Sequence, residues 1–168
     1  ARWLTEESGR YISHVGLQKR VSIEYKRRQE SITHRMYERR YKEALAIYQG
    51  AYGDNYSGLA TYLNNLGMLL TSQQRYEEAV PLFARALVID EATLGPDHIH
   101  LATTLSNLAI LADSMGSAEE AEKLYSRALA IQRKRHRSPH DDVASTLASL
   151  ANMYTGQERY KEALAAYL

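Results

Sequence analysis

Leu59-Ala60-Thr61-Tyr62-Leu63-Asn64-Asn65-Leu66-Gly67-Met68-Leu69-Leu70 returns 42 residues later as Leu101-Ala102-Thr103-Thr104-Leu105-Ser106-Asn107-Leu108-Ala109-Ile110-Leu111-Ala112. Carried on to His100 and Asp142, this register gives identity at 17 of 42 positions. Composition alone yields roughly two or three. Self-similarity of this period is the signature of stacked repeats, and it takes precedence over any local motif. The register continues into Val143, Leu147, Leu150, Ala151 and Ala163.

Each unit reads as two helices. Leu59, Leu63, Leu66, Gly67 and Leu70 follow i, i+4, i+7, i+8 and i+11, one stripe of a 3.6-residue helix, and Ala79, Leu82, Phe83, Ala86 and Leu87 form the stripe of a second. Small residues at Gly67, Ala109 and Ala151, and at Ala79, Ala121 and Ala163, let helix axes approach, while Phe83, Tyr125 and Tyr167 fill the gaps between units. Breaks are expected at Ser114-Met115-Gly116-Ser117 within a unit, and at Gly95-Pro96-Asp97 and Ser138-Pro139 between units. Pro81 falls inside a second helix, where a bend is expected, softened by its nearness to the helix start.

Upstream the register shifts. Tyr41-Lys42-Glu43-Ala44-Leu45 is identical to Tyr160 through Leu164 but precedes Tyr76 by only 35 residues, so its helix should be about seven residues shorter. Before Tyr41, a 42-residue offset places Glu24 and Arg28 where Leu66 and Leu70 stand, so that first helix is degenerate. The offsets divide the chain into an N-terminal extension (1–16), a degenerate capping repeat (17–58), repeats at 59–100 and 101–142, and a partial repeat at 143–168. The chain opens at Ala1 with no signal pattern and halts midway through a second helix. An internal piece of something longer is expected, with more chain or a partner covering Ala163 and Tyr167.

Leu63-x-x-Leu66-Gly67-x-x-Leu70 followed by Tyr76-x-x-Ala79-x-x-x-Phe83-x-x-Ala86 resembles the tetratricopeptide repeat, whose usual length is 34 residues. With its period of 42, and with Leu63-Asn64-Asn65-Leu66-Gly67, Leu94-Gly95-Pro96-Asp97-His98 and His140-Asp141-Asp142-Val143-Ala144, the chain is similar to the longer repeat of kinesin light chains. The resemblance implies an all-α fold, a right-handed superhelical solenoid of antiparallel helix pairs whose first helices line a concave wall. It also implies a non-catalytic scaffold for protein–protein interaction.

Carried over position by position, that peptide-binding wall consists of Thr61, Asn64, Asn65 and Met68, then Thr103, Ser106, Asn107 and Ile110, then Ser145, Ser149 and Asn152. Every polar residue among them is neutral. A clamp for a terminal carboxylate needs Lys or Arg there, so that mode is rejected. The family's basic trough for acidic cargo is weakened by the same test. Asn65 and Asn107 remain, because a carboxamide can donate to and accept from an extended backbone at once. With first helices about 10 Å apart and a strand rising about 3.3 Å per residue, successive Asn meet roughly every third ligand residue. The competing reading is that both Asn bond only to neighbouring helices.

Other chemistry is thin. The chain has no Cys, which removes disulfides, thiolate metal sites and a cysteine nucleophile. It has no serine elbow, phosphate loop or His-Glu-x-x-His, so no enzyme and no cofactor is expected. His98 and His140 repeat at one turn and read as helix-start residues rather than metal ligands. Residues 1–40 hold ten Lys/Arg against five Asp/Glu, and residues 41–168 eleven against fifteen. The run Arg133, Lys134, Arg135, His136, Arg137 suits a solvated helix end, with phosphate contact through Arg133, Lys134, Arg135 and Arg137 as the alternative. Thirteen Tyr stand against one Phe, and Tyr52, Tyr56 and Tyr62 crowd one connection as a candidate aromatic contact patch. The expected partner is a protein or peptide. The rivals are a structural subunit using its outer faces and ends, and nucleic-acid attachment through basic clusters. No apolar run spans a membrane, and the cytoplasmic compartment is the default.

Overall fold

The computed structural model describes residues 4–5, 11–12, 14–135 and 141–167, with side chains from residue 19 onward. Two units are distinguished, residues 1–40 and residues 41–168. In the first, β1 (Leu4–Thr5) pairs antiparallel with β2 (Tyr11–Ile12), Leu4 opposite Ile12. Helix α1 (His14–Tyr52) begins there without a buried stripe: Val21, Ile23 and Tyr25 are all exposed. That agrees with Glu24 and Arg28 replacing leucines of the repeat. No break separates this segment from Tyr41, so a separate first helix is not present among the described residues.

The second unit starts with the last turns of α1, residues 41–52. This stretch is seven residues shorter than α3, as the shifted register requires. Three helix pairs follow: α2 (Gly58–Ser72) with α3 (Tyr76–Leu94), α4 (Ile99–Ser114) with α5 (Ala118–Arg135), and α6 (Asp141–Gly156) with α7 (Tyr160–Tyr167). Each pair packs on the next through α3 against α4 and α5 against α6, and the first helices also meet, α2 with α4 and α4 with α6. Helix α3 continues through Pro81, which is exposed, so water can serve the carbonyl that loses its amide.

The turns inside the pairs share one geometry. Gln74, Gly116 and Glu158, at equal places in the three units, take positive φ of 61°, 80° and 61°. Each lets the following amide return to an earlier carbonyl: Arg75 N to Leu70 O, Ser117 N to Ala112 O and Arg159 N to Tyr154 O. These bonds satisfy helix-end carbonyls that have no partner within the helix. Between pairs, Gly95 also has positive φ, and His98 caps α4, its Nδ1 accepting from His100 N at 3.3 Å. His98 is thereby a helix-start residue. Ser138-Pro139 and His140 lie outside the described residues.

The core follows the two stripes. Leu59, Leu63, Leu66, Leu70, Ala79, Phe83 and Ala86 form one buried cluster, and Ala109, Ala121, Tyr125, Leu150, Met153 and Ala163 another. Leu66 and Leu150 are buried, and Leu108, at the equivalent place, is half-buried against the first cluster. Each fully buried Leu or Phe contributes about 1.5–3 kcal/mol. Exposed ion pairs tie successive units together, among them Arg127–Glu91 at 2.6 Å, Arg159–Glu122 at 3.1 Å and Arg85–Asp54 at 3.0 Å. At these exposures each is worth at most about 1 kcal/mol. Among the described residues, no helix is long and apolar enough to cross a membrane.

Candidate binding wall

Neighbouring positions on a helix are turned about 100° apart, so adjacent polar residues of α2 have different fates. Asn65 is exposed and makes no side-chain hydrogen bond among the described residues, whereas Asn64 is buried, 8 % exposed. Asn64 Nδ2 donates to Ala60 O at 3.1 Å and to Thr104 Oγ1 at 2.7 Å. Thr104 in turn donates to Asp90 Oδ2 at 3.0 Å, and Asn107 Nδ2 donates to Asn64 Oδ1 at 3.4 Å. Four side chains from α2, α3 and α4 thus form one polar network.

The network has a counterpart 42 residues on. Ser106, Gln132 and Thr146 stand where Asn64, Asp90 and Thr104 stand. Gln132 Nε2 donates to Thr146 Oγ1 at 2.9 Å, Thr146 donates to Asp142 O at 3.0 Å, and the Ser106 hydroxyl lies 3.4 Å from Thr146 Oγ1. A buried polar group costs about 1–3 kcal/mol if left unmatched, so these ladders set the register between units as well as filling space.

Thr61, Asn64, Asn65, Thr103 and Asn107 surround a pocket of about 180 Å³, which Asp90 and His100 complete. Asp90 and His100 are not among the wall positions expected from sequence, and they add a carboxyl and an imidazole to that neutral polar set. Asp90 is only 1 % exposed. Burial raises its carboxyl above the ordinary range, offset in part by the Thr104 hydrogen bond and the charges of His100 and His98.

The remaining expected positions are dispersed. Met68 and Ile110 are half-buried against the two core clusters, Ser145 is exposed, and Ser149 is half-buried with its hydroxyl donating to Ser145 O at 3.0 Å. Asn152 is exposed, its Oδ1 accepting from the Tyr167 hydroxyl at 2.8 Å. Arg133, Lys134 and Arg135 are exposed in the last turn of α5, and Lys134 pairs with Asp97. Arg137 lies outside the described residues. Tyr52, Tyr56 and Tyr62 do gather, and Tyr48 joins them, with stacked rings 4.7–6.0 Å apart. No group of three or more His, Asp or Glu among the described residues is placed to hold a metal ion.

Three helix pairs of one register, packed first helix on first helix, define a helical repeat protein. A family model for the tetratricopeptide repeat matches residues 38–92, 58–134 and 113–168, and the chain belongs to that family. The crystal structure of BtubC (BKLC) from P. vanneervenii is similar, with a TM-score of 0.68 and 26 % identity over 77 % of this chain and 52 % of that one. Two crystal structures of a putative kinesin light chain from Podosopora anserina with nearly identical TPR-like repeats are also similar. One has a TM-score of 0.65 and 22 % identity over 83 % of this chain and 70 % of that one. The other has 0.59 and 23 % over 75 % and 60 %. This chain therefore spans about half the length of the BtubC chain. Its repeats share an all-α superhelical repeat fold with these structures. No curated protein sequence matches it. Tetratricopeptide repeats generally mediate protein–protein interaction and are generally without catalytic chemistry.

Proposed function

We propose that residues 41–168 act as a non-catalytic scaffold that holds an extended peptide segment along α2, α4 and α6. The observation that carries this reading is Asn65: an exposed carboxamide with no partner among the described residues, at the rim of a pocket formed jointly by two successive first helices. Its donor and acceptor can both meet a peptide backbone. Asn107 contributes less freedom, since one of its N–H groups is directed to Asn64, yet its carbonyl oxygen and second N–H remain. Thr61, Thr103, Ser145 and Asn152 extend the wall on either side.

The test is selection of random twelve-residue peptides on a display library, run in parallel on the chain and on its Asn65→Ala variant, with thermal melts of both. Selected sequences that bind the parent and are lost on Asn65→Ala at an unchanged melting temperature support the groove. Undiminished binding to the variant removes it. Attachment to nucleic acid is less well supported, because Lys134 in the basic run is already paired with Asp97. A phosphate site would keep its cations free.

A further inference from the structure

Asp90 has one carboxylate oxygen that no described residue satisfies. Its Oδ2 receives the Thr104 hydroxyl, while Oδ1 is buried without a hydrogen-bond partner. Its two neighbours in the network, Asn64 and Thr104, have no donor left for it. Asn64 spends both amide hydrogens on Ala60 O and Thr104 Oγ1, and Thr104 has a single hydrogen to give. A buried carboxylate with an open oxygen is among the costlier arrangements a protein interior can hold. Packing does not require the charge: Gln132 fills the same slot in the next unit as a neutral amide, its Nε2 donating to Thr146 Oγ1 and its Oε1 likewise buried without a partner among the described residues. The charge therefore has no structural return within the chain, and it borders a pocket whose volume far exceeds the roughly 10–15 Å³ needed for one water.

We propose that this pocket receives the cationic head of a lysine side chain from a peptide lying along the wall, with Asp90 as its counter-ion. The carboxamides of Asn65 and Asn107 and the hydroxyls of Thr61 and Thr103 offer neutral acceptors around that ammonium, which carries three donors and no acceptor. His100, exposed at the rim, and His98 share the electrostatic surroundings of Asp90. The inference rests on the groove reading for its ligand, and adds the chemical class of side chain that the groove selects.

The experiment is a ¹⁵N NMR titration of the chain, following the side-chain amides of Asn64, Asn65 and Asn107. The probes are n-butylammonium, n-butanol as its neutral counterpart, and two capped pentapeptides, Gly-Gly-X-Gly-Gly, with lysine or norleucine at X. Saturable shifts are expected with butylammonium and with the lysine peptide, the latter binding more tightly because its backbone meets Asn65. Neither butanol nor the norleucine peptide should compete. Asp90→Asn, and Asp90→Gln, which copies the amide of Gln132, should each weaken the cation about tenfold or more, the loss of a charged hydrogen bond. Equal shifts from butanol, or affinities within about twofold in both variants, overturn the counter-ion role. A lysine peptide no tighter than butylammonium overturns the peptide as the source of the cation. If Asn65→Ala abolishes peptide selection while butylammonium leaves the amides unmoved, the groove stands and the lysine pocket falls. The opposite pattern removes the groove and with it the peptide ligand.

Discussion

The ring of Phe83 lies directly over Gly67. A Cβ built on that glycine meets the ring Cζ at 2.7 Å, inside any real carbon–carbon contact. Phe83 and Gly67 are both buried, so the ring has no room to retreat. Gly67→Ala is expected to lower stability by about 1–3 kcal/mol, the usual cost of overpacking a filled core. Urea unfolding of Gly67→Ala, Phe83→Leu and the pair checks it: the double variant should lose less than the sum of the singles, because the smaller side chain makes space for the methyl.

The three turns inside the helix pairs differ in how well their residues suit positive φ. Gly116 adopts the left-handed conformation freely, while Gln74 and Glu158 hold it against the clash of Cβ with the backbone. Gly116→Ala should cost about 1 kcal/mol, and Gln74→Gly should stabilise by up to about 1 kcal/mol, reduced by the extra freedom of glycine in the unfolded chain. Thermal denaturation of the two variants against the parent reads both signs.

Removing Asn64 opens a network of three other side chains. Asn64→Ala leaves Asn107 without its acceptor and Thr104 without its donor, and about 1–3 kcal/mol should be lost. Asn64→Ser should lose less, because Ser106 serves the corresponding place one unit later with its hydroxyl near Thr146. Chemical denaturation of the two variants distinguishes a polar requirement from a requirement for volume.

Asp90 makes stability depend on pH. Burial, the largest influence, raises its carboxyl above 3.8, so the folded chain holds that proton more tightly than the unfolded one. The contribution of the group is therefore complete below the unfolded pKa, near pH 4, and is lost as pH climbs through the raised folded value. Asp90→Asn abolishes this dependence. Urea midpoints of parent and variant should lie closest at acid pH and separate in favour of the variant as pH rises toward neutrality.

Tyr125 governs the alkaline side. Burial, then the negative charge of Asp113, pushes its phenol up to about 12, with Ser149 opposing. Its protonated form is thus favoured in the folded state, and the stability it brings is present below about pH 10 and lost as pH rises toward 12. A late component is therefore expected in an ultraviolet titration of phenolate. Tyr125→Phe should remove that late component and flatten the fall in stability over the same range.

Repetition in the sequence was enough to show paired helices, their stripes, the shortened helix after Tyr41 and the breaks near Gly95 and Gly116. These are local matters: a period of 3.6 places the apolar face, and a turn needs only a residue or two able to adopt it. Even here Gln74 and Glu158 gave no warning of left-handed backbone, since neither is a residue that such geometry prefers. Identity at 42-residue spacing pointed to Asn65 with Asn107 and bypassed the interior ladder, because Asn64 pairs with Ser106 and Asp90 with Gln132, equal in place and unequal in kind.

The amino-acid order by itself determined that this chain builds stacked helical pairs. Only the tertiary structure decided that, of two adjacent asparagines, Asn64 turns inward and Asn65 outward, and that Asp90 arrives from a different helix at the edge of their pocket. The reason is physical: burial of a polar side chain depends on partners supplied by other helices, 14 residues away for Asp90 and Thr104 and 40 for Asn64 and Thr104, and no local pattern encodes that meeting.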